Sequence, residues 1–113
     1  MQVEIKVVTS DYEFGLDLVE SHRFPERRPV IVPGEAVISK QEVFAKDDSY
    51  WSSDVILLGV DINEDTSIEE FASWFYSKLS TRVPKIETLL IAGENVPIDE
   101  AEILSALEVA VRQ

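Results

Sequence analysis

Cysteine is absent from the chain, which removes disulfide frameworks, thiolate metal sites and thiol nucleophiles together. Glycine is scarce as well: the four glycines stand singly at positions 15, 34, 59 and 93, so neither a G-x-G-x-x-G turn nor a P-loop can be written. Histidine occurs once, as His22. No run of about eighteen apolar residues is present, the length a membrane span needs, and Met1 to Lys6 lacks the basic and apolar regions of a secretory leader. The expectation is a cytoplasmic protein stabilised by packing alone.

What the chain does have is negative charge. Its 22 acids against 10 bases give a formal net charge of −12. Such a field repels nucleic acid phosphates and anionic membrane surfaces and attracts cationic proteins. Residues 1–53 hold 10 acids and 6 bases, net −4, and residues 54–113 hold 12 acids and 4 bases, net −8, so the acidic weight lies in the second half. At 113 residues and 45% hydrophobic the chain is long enough to bury a core as one domain. Repeats, low-complexity tracts and Gly/Ser linkers are lacking.

Val3, Ile5 and Val7 alternate with Gln2, Glu4 and Lys6 at the period of a half-buried strand. Residues 11–20 fit two patterns. Ser10 with Glu13 could open a helix, while Tyr12, Phe14, Leu16 and Leu18 alternate as in a strand; Gly15 tips the balance slightly towards strand. Three prolines between residues 21 and 35 predict a loop around a short extended Val30–Val32 piece. Ala36 to Phe44 reads as a strand, with Lys46–Ser49 a polar turn leading towards a further strand over Asp54–Ile62, so a hairpin is plausible there. The run Val55–Val60 is continuously apolar, the mark of a central strand covered on both faces. Thr66 or Ser67 caps a helix with Glu69 and Glu70 in its first turn and Ile68, Phe71, Ala72, Phe75 and Leu79 as its buried stripe. Ile86 to Ile91 is a strand, and Asp99 with Glu102 opens a last helix through Ile103, Leu104, Leu107 and Val111. The expected fold is a single α+β domain over residues 1–113: a mixed β-sheet with a C-terminal β-α-β-α unit and two helices packed on the sheet. If the last two strands neighbour each other, they should run parallel with a right-handed crossover.

The segment most like a motif is Asp61-Ile62-Asn63-Glu64-Asp65, which matches the first three ligand positions of a calcium-binding EF-hand loop. The match then fails, with Thr66 where glycine is needed and Ala72 where a bidentate glutamate is needed. A solvated strand-to-helix loop is the plainer account. His22 sits beside Arg23 in a polar loop without a nucleophile elbow, which gives a catalytic triad little support. The basic island from His22 to Pro29 could clamp phosphate around Phe24, but the overall field opposes that, and its arginines more plausibly anchor the loop to the chain's own acids. No catalytic, metal or cofactor residue is therefore assigned. Trp51, Tyr50 and Phe44 flank the Asp47-Asp48 turn, and Trp74 and Tyr76 lie at the edge of the acidic helix's stripe. Aromatics ringed by carboxylates suit a surface for a basic protein, although most aromatics in a domain this size are core.

In size, charge, lack of cysteine and lack of catalytic motifs, and in the acidic loop and helix Asp61 to Tyr76, the chain resembles the small acidic immunity proteins that protect bacteria from contact-dependent growth inhibition or bacteriocin toxins. The resemblance is one of type and carries over no functional residue. It implies a cytoplasmic inhibitor that plugs a basic, nuclease-type toxin domain, its carboxylates standing in for substrate phosphates. The candidate partner-facing residues are the acids Asp47, Asp48, Asp61, Glu64, Asp65, Glu69 and Glu70, with Trp51 and Trp74 as anchors; nucleic acid and membrane partners are not expected. Two other readings stay open. One is a structural or accessory subunit that forms a homo-oligomer through a sheet edge or aromatic patch; the other is a small acid-residue enzyme, with or without Mg²⁺, in which acids such as Asp61 and Asp99 converge on one pocket.

Overall fold

A computed structural model describes residues 1–10, 29–45, 54–81 and 85–112. The ambiguous stretch 11–20, the basic island with His22, the Lys46–Ser49 turn, Asp47, Asp48 and Trp51 lie outside the described residues. Among the described residues eight elements follow in order: β1 (Gln2–Thr9), β2 (Val30–Val32), β3 (Ala36–Ala45), β4 (Asp54–Asp61), α1 (Ile68–Ser80), β5 (Ile86–Ile91), β6 (Glu94–Asn95) and α2 (Glu100–Arg112). They form one six-stranded sheet in the order β2-β3-β4-β1-β5-β6, with two helices.

The C-terminal β-α-β-α order is as expected, and β4 is internal, as its apolar run required. Its neighbours are β3 and β1, however, and not β5. The amino-terminal strand lies between β4 and β5 and pairs antiparallel with both. Every hydrogen-bonded pair of described strands is thus antiparallel, so the sheet is antiparallel where a mixed one was expected; β4 and β5 run the same way but are separated by β1, as a split β-α-β unit. The physical reason lies in β1: Val3, Ile5 and Val7 are all buried, and a strand with that inward face gains most between two apolar neighbours. Its register sets Ile5 against Leu58 on one side and Ile91 on the other, and Val7 against Ile56 and Leu89.

Because side chains alternate along each strand, this register puts Val3, Ile5, Val7, Ile56, Leu58, Val60, Leu89 and Ile91 on one face. They share a single core with Phe71, Ala72, Phe75 and Leu79 of α1 and Ile103, Leu107 and Ala110 of α2. Both helices therefore cover the same side of the sheet. The rings of Phe71 and Phe75 stack at 5.8 Å. A fully buried phenylalanine contributes on the order of 2–3 kcal/mol by area, so this pair is a large part of what fastens α1 down.

The helix starts are specified locally. Ser67 has extended backbone angles, and its side chain accepts the Glu70 amide at 3.3 Å. Asp99 does the same for the Glu102 amide at 3.1 Å. Each satisfies one of the amides that a first turn leaves without a partner. At the β2–β3 turn Gly34 takes φ +87 and approaches the start of α1 so closely that its carbonyl oxygen accepts the Ser67 amide at 2.8 Å. That bond fixes the hairpin to the helix.

Candidate functional site

Main-chain pairing brings four segments to one end of the sheet. Met1 and Ile62 form a reciprocal pair: the Ile62 amide donates to the Met1 carbonyl at 2.8 Å, and the Met1 ammonium donates to the Ile62 carbonyl at 3.2 Å. Beside them lie the β2–β3 turn with Glu35, the β4–α1 loop with Glu64 and Asp65, and the first turn of α1 with Glu69 and Glu70. The loop and the turn are joined by Thr66, whose hydroxyl reaches the Glu35 carbonyl at 3.5 Å. Glu94, in the β5–β6 hairpin, is exposed at the same end of the sheet.

The loop's shape follows from its own polar groups. The Asn63 side-chain oxygen accepts the Asp65 amide at 2.8 Å, the Asn63 amide donates to the Thr66 hydroxyl at 3.0 Å, and the Thr66 amide donates to the Asn63 carbonyl at 3.1 Å. Asn63 is thereby engaged in holding a turn. The likeness to a calcium loop ends there. Among the described residues no group of three or more histidines, cysteines or acids is placed to hold a metal ion, and Asp99, the other acid considered for such a pocket, caps α2.

The five candidate acids within the described residues reach this end but not one face. Glu64, Asp65, Glu69 and Glu70 are exposed, the first pair on the loop and the second on the helix layer. Asp61 is half-buried and lies between the inward-facing Val60 and Ile62, so alternation turns it to the sheet face away from the helices. None of the five forms an ion pair among the described residues. Two acids at the start of α1 also sit where the helix's positive end favours negative charge, so part of their placement serves the helix itself. The sequence alone does not place Glu35 at this end. The signal available was Pro33-Gly34 as a tight turn, but nothing local says that this turn lands beside the α1 start.

Trp74 departs from the picture of an open anchor. It is half-buried, its ring tilted against Phe71 at 5.9 Å, and the Lys78 ammonium lies over it at 5.9 Å from the ring centre. The indole therefore packs against the edge of the core, and a cation of the same helix attends it.

A groove of about 340 Å³ runs beside β5 where β6 stops, lined by Ile86, Glu87, Leu89, Val96, Pro97 and Ile98 among others. β6 ends because Pro97 follows Val96, whose amide makes the last bond of that hairpin, to the Leu89 carbonyl at 2.9 Å. The groove lies towards the other end of β5 from the acids, so this groove and the charge do not coincide. What the acidic end can do is offer the exposed carboxylates of Glu64, Asp65, Glu69 and Glu70 to a cationic surface. No helix among the described residues is long and apolar enough to cross a membrane. No protein-family model, curated protein or solved structure matches the chain.

Proposed function

We propose that the chain is an acidic protein-binding module, an immunity or inhibitor protein that neutralises a basic, nuclease-type toxin domain by direct contact in the cytoplasm. The observation that carries this reading is the gathering of Glu35, Asp61, Glu64, Asp65, Glu69 and Glu70 at one end of the sheet, without ion pairs among the described residues. Surplus carboxylate left unneutralised by the fold is available to a partner's lysines and arginines. At that end the field of neighbouring acids adds up, and a low-dielectric sheet beneath them strengthens it.

On this reading the acids steer encounter, and apolar contact close to them supplies most of the lifetime of the complex. The test immobilises the chain, captures the partner, and compares wild type with a variant carrying Glu64→Gln, Asp65→Asn, Glu69→Gln and Glu70→Gln. Association with wild type should slow at least tenfold between 50 and 300 mM salt, since screening shortens to a few ångströms, and the variant should associate slowly at both. A partner of acidic character, or an association rate that neither salt nor the four substitutions change, would end this assignment.

A further inference from the structure

The sheet has a second surface that the acidic end does not use. β3 is ten residues long, but β2 covers only Ala36–Ile38 of it. From Ser39 to Ala45 its outer edge has no strand beside it among the described residues.

The direction of the unmatched backbone groups follows from register. In β1 and β4 the reciprocal Met1–Ile62 bonds fix which residues exchange hydrogen bonds, and alternation carries that pattern to Val60, Leu58 and Ile56. Leu57 and Gly59 then turn their groups towards β3, to Glu42 and Lys40. A bulge between Ile38 and Lys40 resets the phase, and the residues whose amide and carbonyl point outward are Gln41 and Val43. A row that no described strand pairs with is a template for another strand.

We propose that this edge pairs with the same edge of a second copy, antiparallel about a two-fold axis at Gln41. An isologous contact requires a strand complementary to its own reverse, and the charges meet that requirement. With Gln41 opposite Gln41 of the second copy, Lys40 stands opposite Glu42 and Glu42 opposite Lys40. In the single chain these two side chains lie 3.7 Å apart along one strand, 51% and 38% exposed, so exchanging them between copies needs only rotamer changes. Both sit on the face away from the two described helices. The pairing runs over Ser39–Val43, stopping where β2 begins to occupy the edge. A net charge of −12 per chain opposes association at low salt, so the dimer forms more readily near 0.15 M, where screening falls to about 8 Å.

The test is sedimentation equilibrium of the chain alone at 0.15 M salt, with far-ultraviolet circular dichroism to establish that each variant is folded. Wild type should give twice the 12.8 kDa chain mass at high micromolar concentration. Lys40→Glu and Glu42→Lys each place like charges opposite one another and should weaken the dimer at least tenfold. An equimolar mixture of those two variants should form a heterodimer, and the double variant, with its charges exchanged, should recover self-association. A wild type that stays at 12.8 kDa throughout, or folded single variants that dimerise as well as wild type, would overturn the pairing. The readout involves no basic partner, so this outcome and the fate of the proposed inhibitor role are independent.

Discussion

Gly34 and Gly93 have nearly the same positive φ, +87 and +84, and differ in what surrounds them. Alanine at either must adopt a left-handed φ, at a cost of roughly 1–2 kcal/mol. At Gly93 the added methyl meets nothing within 4 Å, so that is the whole effect. At Gly34 the same methyl would lie 2.4 Å from the Ser67 carbonyl oxygen and 2.9 Å from the Phe71 amide nitrogen. Both are backbone atoms of the helix start and cannot swing aside. The hairpin has to withdraw from α1, which stretches the bond between Ser67 and Gly34 and loosens the contact over Phe71. Losing that hydrogen bond costs about 1 kcal/mol net, and opening space beside a core ring adds on the order of 1–2 kcal/mol. Gly34→Ala should therefore destabilise by about 3–5 kcal/mol and Gly93→Ala by about 1–2 kcal/mol. Urea unfolding of the two variants, fitted as two-state with a common m value, measures the gap directly. Equal shifts in midpoint would refute the claim that close approach to α1, and not φ alone, requires glycine at position 34.

Ser67→Ala and Asp99→Ala each remove the acceptor of a first-turn amide and should cost about 1 kcal/mol apiece, summing in the double variant because the caps belong to different helices; thermal melts check both the size and the additivity. Trp74→Ala should lower stability by about 1–3 kcal/mol, since one side of its ring packs on Phe71, whereas Glu64→Gln and Glu69→Gln should each stay within about 0.5 kcal/mol. If the tryptophan variant melts at the wild-type temperature, the half-buried position assigned to it is wrong.

Those predictions mark what could be seen in the sequence and what could not. Alternation of Val3, Ile5 and Val7 gave their common face directly, and Asp99 with Glu102 marked one helix start; for the other the sequence offered Thr66 or Ser67, and the structure selects Ser67. A periodic pattern says which side of a strand is buried and is silent about who lies next to it, which is why the insertion of β1 between β4 and β5 was not foreseen. β6 escaped for a different reason. Its turn uses Ala92 at φ 52 with Gly93, whereas the usual signal for such a turn is asparagine or aspartate before glycine. For the acidic end, exposure of Glu64, Asp65, Glu69 and Glu70 was readable from their place before and on the outer side of a stripe. That Asp61 turns to the opposite face follows from the parity of β4, with Val60 and Ile62 on either side of it facing inward. The arrival of Glu35 beside them depended on a contact between residues 34 and 67 that no local pattern encodes.

The position of β1 also orders events during synthesis. Both of its hydrogen-bonded neighbours lie far downstream, β5 beginning only at Ile86. At translation rates of about 5–20 residues per second, several seconds separate the emergence of Val3, Ile5 and Val7 from that of the second strand needed to flank them. Throughout that interval the most apolar stretch of the amino-terminal segment has no permanent lodging. Nascent chains cut short before Ile91 should therefore stay sensitive to protease along their whole length, and acquisition of resistance should be abrupt and late, with no earlier plateau from a partly built sheet.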